Sequence, residues 1–180
     1  MFLEQVGSDV VWLRGKRGAP SDLLSDFDLC NELVEKSDDI TPVIKGLYLG
    51  DLQAAEALAG CNPRKIRAIV TLCSETVNER APEITYRHLP ILDSRPISQH
   101  RLHQVLNAIA ESIRTGSVLI HCAAGASRTP TIAAAYLHHI GWRAFPQALA
   151  YLARMRPEIG PSPVLVESVI RHPPPFVRVR

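Results

Sequence analysis

The strongest constraint on the fold is a change of pattern in mid-chain. Ser117 to Cys122 is an almost wholly apolar run, followed by a loop of small residues around Gly125. The next segment, about Arg128 to Ile140, carries Ile132, Ala133, Ala134, Ala135, Tyr136 and Leu137 around most of a helical circumference. A short apolar run of this kind reads as a central strand covered on both faces, and an all-round apolar helix must be buried. The chain therefore predicts a strand, a tight glycine loop and a helix packed behind it.

The rest of residues 43–170 alternates short β-branched runs with segments of helical period, as in an α/β domain with a mostly parallel sheet flanked by helices. The other predicted strands are Val43 to Leu49, Ala68 to Cys73 and Thr85 to Leu92. A helix is predicted over about Ser98 to Arg114, where Leu102, Val105, Leu106, Ile109 and Ile113 recur at spacings of three and four after the N-cap candidate Ser98. Two more helices are predicted at Phe145 to Met155 and Val164 to Arg171, divided by Arg-Pro-Glu-Ile-Gly-Pro-Ser-Pro, which forces a turn. Near the N-terminus, Leu23, Leu24, Phe27, Cys30, Leu33 and Val34 form one stripe if Ser21 or Asp22 caps a helix. The proline-rich end, residues 173–180, reads as an extended tail.

With 180 residues, one domain is the default. The net charge of +2, with basic residues scattered, gives no nucleic-acid footprint. No stretch approaches a membrane span and the N-terminus lacks signal-peptide character, so cytoplasmic residence is expected. Cys30, Cys61, Cys73 and Cys122 show no metal-ligand spacing and are expected as free thiols.

His121-Cys122-Ala123-Ala124-Gly125-Ala126-Ser127-Arg128-Thr129-Pro130 lies at the strand-to-helix transition. Such a turn aims backbone N–H groups and the positive end of a helix at one point, which suits a phosphate dianion. Ala123, Ala124, Gly125, Ala126, Ser127 and Arg128 are the candidate cradle. Gly125 can take the positive φ of a curled loop, and Pro130 suits a first helical turn. The same field favours the thiolate of Cys122, making it a candidate nucleophile. Arg128 offers a planar fork to two phosphoryl oxygens. Thr129 places a hydroxyl within reach of the sulfur, and His121 orients the loop. A lone cysteine ending a strand reads more readily as structural, but cysteine, five residues, then arginine and a hydroxyl is a specific combination.

Hydrolysis of a phosphate ester also needs a proton for the leaving oxygen. Asp93 follows the predicted strand Thr85 to Leu92 and would emerge at the carboxyl edge of a parallel sheet beside Cys122. Its alternative reading is a turn residue, and Asp51, Glu75 and Glu79 are rivals for the acid.

The loop HCAAGASRT resembles the signature of the dual-specificity branch of the cysteine-based protein phosphatases. Gly46-Leu47-Tyr48-Leu49-Gly50 resembles that family's opening strand, Leu92-Asp93-Ser94 its acid turn, and Arg156-Pro157 with Pro161 the turn after its penultimate helix; together the likeness covers about residues 42–171. The resemblance implies a four- or five-stranded sheet, a cysteinyl-phosphate intermediate, no metal or organic cofactor, and a phosphorylated protein as substrate, with Cys122 as nucleophile, Arg128 as phosphate ligand and Asp93 as acid. It also implies a shallow site that accepts phosphotyrosine and phosphoserine or phosphothreonine. The expected organisation is an N-terminal extension (1–41), a catalytic domain (42–172) and the tail (173–180).

Ser162 departs from the asparagine common in the family, which puts that loop-supporting contact in doubt, and Thr129 replaces the commoner serine. Arg95, His100 and Arg101 read either as solvated charges or as contacts for an acidic substrate flank. Cys73, ending its strand near Cys122, reads either as a buried apolar cysteine or, as in related enzymes, as the redox partner in a reversible disulfide. Two other functions stay open: a phosphate-binding pseudophosphatase, and a rhodanese or arsenate reductase-like sulfur enzyme, which shares the cysteine-to-arginine spacing without the glycine, hydroxyl and upstream aspartate.

Overall fold

A computed structural model describes residues 40–174. The helix expected near Leu23 to Val34 and the end of the proline-rich tail lie outside the described residues. Five strands form one sheet: β1 (Thr41–Ile44), β2 (Leu47–Gly50), β3 (Ile66–Thr71), β4 (Thr85–His88) and β5 (Ser117–His121). Their order is β1-β2-β5-β3-β4, and every pairing is parallel except β1 with β2. The helices are α1 (Leu52–Ala57), α2 (Gln99–Thr115), α3 (Arg128–His139), α4 (Phe145–Met155) and α5 (Pro163–Arg171).

The central position of β5 explains its apolar run. Val118 and Ile120 join a core shared with α2 to α5, while Leu119 faces the opposite core with Ala54, Ala55 and Leu58 around α1. A strand with helices on both faces has no solvent side to reward alternation. Helix α2 begins where predicted, the Ser98 hydroxyl accepting the Arg101 N–H at 3.2 Å. It buries Leu102, Val105, Leu106 and Ile109, at about 2 kcal/mol for each fully buried side chain.

The structure departs from the expectations at four points. The run Val43 to Leu49 is a hairpin of two antiparallel strands: Gly46, at φ +82°, turns the chain, and β2 then pairs with β5. The strand from Thr85 stops at His88 instead of Leu92, but the loop stays pinned to the sheet by the N–H groups of Leu89 and Ile91, which donate to the carbonyls of Thr71 and Leu72 at 2.9 Å. Helix α1 was not foreseen; its start is set by Asp51, whose carboxylate accepts the Ala54 N–H at 2.7 Å. Cys73 and Cys122 are free thiols, whereas Cys61 is disulfide-bonded, contrary to the expectation of four free thiols.

Candidate active site

The parallel register decides what meets at the carboxyl edge of the sheet. Thr71 of β3 and Gly50 of β2 both pair with His121, the last residue of β5, and the Leu72 N–H donates to the His121 carbonyl at 2.8 Å. Cys122 emerges from the middle of this edge, 2% exposed, with Cys73 leaving the neighbouring strand beside it.

The loop after Cys122 is held from outside by its carbonyls. Ala123 O accepts from the Leu52 N–H at 3.2 Å and Ala126 O from the Gly160 N–H at 2.9 Å. Ser127 O accepts from the Thr131 hydroxyl at 2.8 Å and the Thr131 N–H at 3.3 Å. In a trans peptide the N–H points opposite its carbonyl. Binding these carbonyls outward therefore turns the N–H groups of Ala124, Ser127 and Arg128 toward the concave side, at the N-terminus of α3. Gly125 sits at the tightest point, with φ +66°, and a Cβ there would lie 2.8 Å from the Gly50 carbonyl oxygen. Conformation and space both demand glycine.

Arg128 opens α3, its side chain 11% exposed. Its Nη1 donates to the Ile91 carbonyl at 3.4 Å and its Nη2 lies 3.8 Å from Asp93 Oδ2. Its Nε is buried with no hydrogen-bond partner among the described residues, an unsatisfied donor that an anion in the loop would complete. Asp93 is half exposed on the pinned loop after β4, and its Oδ1 accepts the Ser127 hydroxyl at 3.2 Å and the Ser94 N–H at 2.9 Å. Ser94 takes a left-handed φ of 53°, a sharp bend that brings the carboxylate back over the loop. Sequence reasoning thus placed Cys122, Arg128 and Asp93 together, and the structure assembles all three at one edge.

The rivals for the acid go elsewhere. Asp51 caps α1. Glu79 is exposed. Glu75 has its carboxyl held below the ordinary range by its own backbone N–H, then by the Ser74 hydroxyl and the Cys73 thiol, so it suits proton donation poorly.

His121 is fully buried, and its Nε2 lies 2.8 Å from Thr71 Oγ1 while its Nδ1 lies 3.3 Å from the Cys122 carbonyl. A carbonyl can only accept, so Nδ1 carries the proton and Nε2 accepts from the threonine. Burial pushes the imidazole down to about 4. Thr129 is fully buried directly after Arg128, and its hydroxyl makes no hydrogen bond among the described residues. Cys73 is also buried; burial, then the hydrogen bond of its thiol with the Glu75 side chain, pushes it up to about 11, and its Sγ also lies 3.6 Å from the Glu75 carbonyl.

Of the residues considered for an acidic substrate flank, Arg101 is engaged within the protein: its Nε and Nη2 donate to the Pro90 carbonyl at 3.3 and 3.0 Å, fastening the Asp93 loop to α2. Ser162 lacks the asparagine side chain, yet its backbone N–H donates to Ser127 Oγ at 3.2 Å, so the loop is still held from this turn. Sequence reasoning missed Arg156 as part of the site. It was read only as the start of a turn, but its guanidinium packs beneath Gly125. The available signal was an arginine directly ahead of a proline at the end of an amphipathic helix, where a solvated charge is the default.

A family description, dual specificity phosphatase catalytic domain, matches residues 47–173. A probable dual specificity protein phosphatase of Dictyostelium discoideum is 28% identical over 81% of this chain and 69% of its own length. Human dual specificity protein phosphatase 15 is 33% identical over 67% of this chain but only 41% of its own length. A mouse putative dual specificity phosphatase, crystallised with zinc tungstate, has the same fold, with a TM-score of 0.67 and 22% identity across 75% of this chain and 86% of its own. With the cysteine, arginine and aspartate converging on one loop inside the matched span, the chain belongs to the dual specificity phosphatase family.

Proposed function

We propose that this phosphatase hydrolyses phosphotyrosine and phosphoserine or phosphothreonine in proteins through a phosphocysteine at Cys122. The observation that carries the reading is the convergence of a buried thiol, a ring of loop N–H groups, the partnerless Arg128 Nε and the Asp93 carboxyl at the N-terminus of α3. The dianion enters the loop and takes hydrogen bonds from residues 123–128 and from the Arg128 fork. Cys122 attacks phosphorus as a thiolate while protonated Asp93 gives its proton to the leaving oxygen. Asp93, now a carboxylate, takes a proton from water as that water attacks the phosphocysteine, and the thiolate leaves with a hydrogen bond from Thr129. Negative charge grows on the oxygens facing Arg128 in both steps, so donors fixed there lower the barrier.

Residues 42–172 form the catalytic unit in this reading, and the cytoplasm, which keeps thiols reduced, is its setting. Cys73 is assigned as redox partner on its position beside Cys122: a sulfenic acid on Cys122 would condense with the Cys73 thiol, releasing water. The upward shift of Cys73 to about 11 makes that step slow.

The test is hydrolysis of an aryl phosphate, then of phosphotyrosyl and phosphothreonyl peptides, from about pH 5 to about pH 8. Cys122→Ser should reduce turnover to background, and Asp93→Ala should cost about 10²-fold or more and remove the alkaline limb of the profile. Reduced wild-type protein that binds phosphopeptides without turnover would overturn the reading, as would activity surviving Cys122→Ser.

A further inference from the structure

We propose that Arg101 is a positioning residue for the general acid, a guanidinium on α2 that fixes the peptide leading into Asp93 without touching the substrate. The proposal rests on reading Asp93 as the acid of a cysteine-dependent phosphatase. Residues 92–96 are all exposed, and they span two buried anchors, Ile91 and Ile97. The Ile97 N–H donates to Ser168 Oγ at 3.1 Å, which fixes the exit of this span. What holds Ile91 therefore sets the entry of the chain into Asp93.

The Pro90–Ile91 peptide is gripped at both ends. Its N–H donates to the Leu72 carbonyl, just beyond β3, at 2.9 Å, while its carbonyl accepts from Arg101 Nε at 3.3 Å and Nη2 at 3.0 Å. Carbonyl and N–H point in opposite directions in a trans peptide, so this one plane is held between the sheet and α2. Two donors from one edge of a planar fork fix direction as well as distance. The fork is itself set in place: the Arg101 N–H donates to Ser98 Oγ at 3.2 Å, and Nη1 donates to Gln104 Oε1 at 3.1 Å, one turn further along α2.

The next peptide gives this grip its importance. The Ile91 carbonyl accepts from Arg128 Nη1 at a long 3.4 Å, but the Arg128 fork is the proposed phosphate ligand, and a dianion competes for the same donors. Among the described residues, Arg101 bonds to Pro90, Ser98 and Gln104 and to nothing in the cradle. Substrate binding leaves those bonds intact, so Arg101 holds the acid while Arg128 turns to the phosphate. Proton transfer needs hydrogen-bond reach to the leaving oxygen, and a displacement of about 1 Å there is costly.

The leaving group separates this role from a merely structural one. The measurement is kcat/KM for phenyl phosphate, whose phenol resembles tyrosine and needs the proton, and for the ester of a strongly acidic nitrophenol, which needs it little. Arg101→Met should lower the phenyl phosphate value about tenfold, part of the about 10²-fold or more that the acid supplies, and leave the activated ester within about twofold. Made in an Asp93→Ala background, the same substitution should cost nothing further, because the group it positions is gone. Arg101→Lys offers a point donor in place of two parallel ones and should show the same selective loss, reduced to about threefold; it carries the test if Arg101→Met fails to fold. Equal losses on both esters, full activity on phenyl phosphate, or losses that add to those of Asp93→Ala would overturn the proposal. If Asp93→Ala shows no dependence on the leaving group, the assignment of the acid fails and takes the proposal with it. Wild-type protein inactive on both esters would instead overturn the reading of the loop itself.

Discussion

His121 makes the nucleophile loop a liability in acid, by an amount that can be worked out. The ring is fully buried, and both nitrogens are satisfied in the neutral form: Nδ1–H donates to the Cys122 carbonyl and Nε2 accepts from Thr71. Burial is the largest cause of its low pKa; the Cys122 carbonyl, Asp51 and Glu56 oppose that shift, and His88 adds to it. The native state holds this proton only below about 4, whereas an unfolded histidine takes it up near 6.5. Between those values the unfolded chain binds more protons than the native one, so stability falls as pH falls, beginning near pH 6.5 and complete near pH 4. At about 1.4 kcal/mol per pH unit across that gap, the loss is about 3 kcal/mol. Denaturant unfolding at pH 7 and at about pH 4.5 would measure it. His121→Asn can keep one donor and one acceptor without a titrating ring, so its stability should fall less over the same interval, by about 2–3 kcal/mol. Carboxylates elsewhere contribute equally to both proteins and cancel in the difference. Parallel pH dependences for wild type and variant would refute the reasoning.

Three further perturbations test the loop. Gly125→Ala puts a Cβ 2.8 Å from the Gly50 carbonyl at a φ of +66°, a strain of about 1–3 kcal/mol; turnover should fall more than about tenfold while the thermal midpoint drops by only a few degrees. Ser127→Ala removes the hydroxyl that bridges Asp93 and the Ser162 N–H; kcat with a phenol of high pKa, which needs the acid, should fall more than with an activated phenol, and equal losses would count against the bridge. Peroxide treatment followed by mass spectrometry should yield a Cys73–Cys122 crosslinked peptide more slowly than Cys122 is oxidised, given the protonated Cys73 thiol; direct passage of Cys122 to sulfinic acid with no crosslink would remove Cys73 from the redox role.

Sequence was legible where a pattern had one physical meaning. Phe145 to Met155 was placed to the residue because an amphipathic stripe ends at Arg-Pro, and Ser127 to Thr129 were placed because strand, loop and helix follow without interruption. The hairpin at Gly46 was hidden by its apolar residues: Val43, Ile44, Leu47 and Leu49 read as one strand, and only the left-handed glycine between them turns the chain. Helix α1 was missed because six residues carry too little periodicity, and its one clear signal, Asp51 as N-cap, was weighed as an acid instead. Arg156 was illegible for a different reason. Its burial comes from contacts with Thr41 and Gly125, residues 115 and 31 positions away along the chain, and no local window distinguishes it from a solvated arginine.

That contrast shows how the site is organised. One continuous stretch, Cys122 to Thr129, supplies the thiol, the N–H groups and the phosphate fork, so a single loop conformation sets their relative positions. The proposed acid, Asp93, comes from another segment and must be registered to that loop. Ser127 performs the registration: its hydroxyl donates to Asp93 at 3.2 Å while its oxygen accepts from the Ser162 N–H at 3.2 Å. The same residue's carbonyl is held by Thr131 inside α3. Asp93 is therefore referenced to the loop, to the helix behind it and to the turn after α4 through one side chain. The Cys122 thiol, the Arg128 guanidinium and the half-exposed Asp93 carboxylate are thus tied to one loop. The same linkage ties the turn at 156–162 to both steps of the proposed reaction, since it meets the loop at Gly125, Ala126 and Ser127 at once.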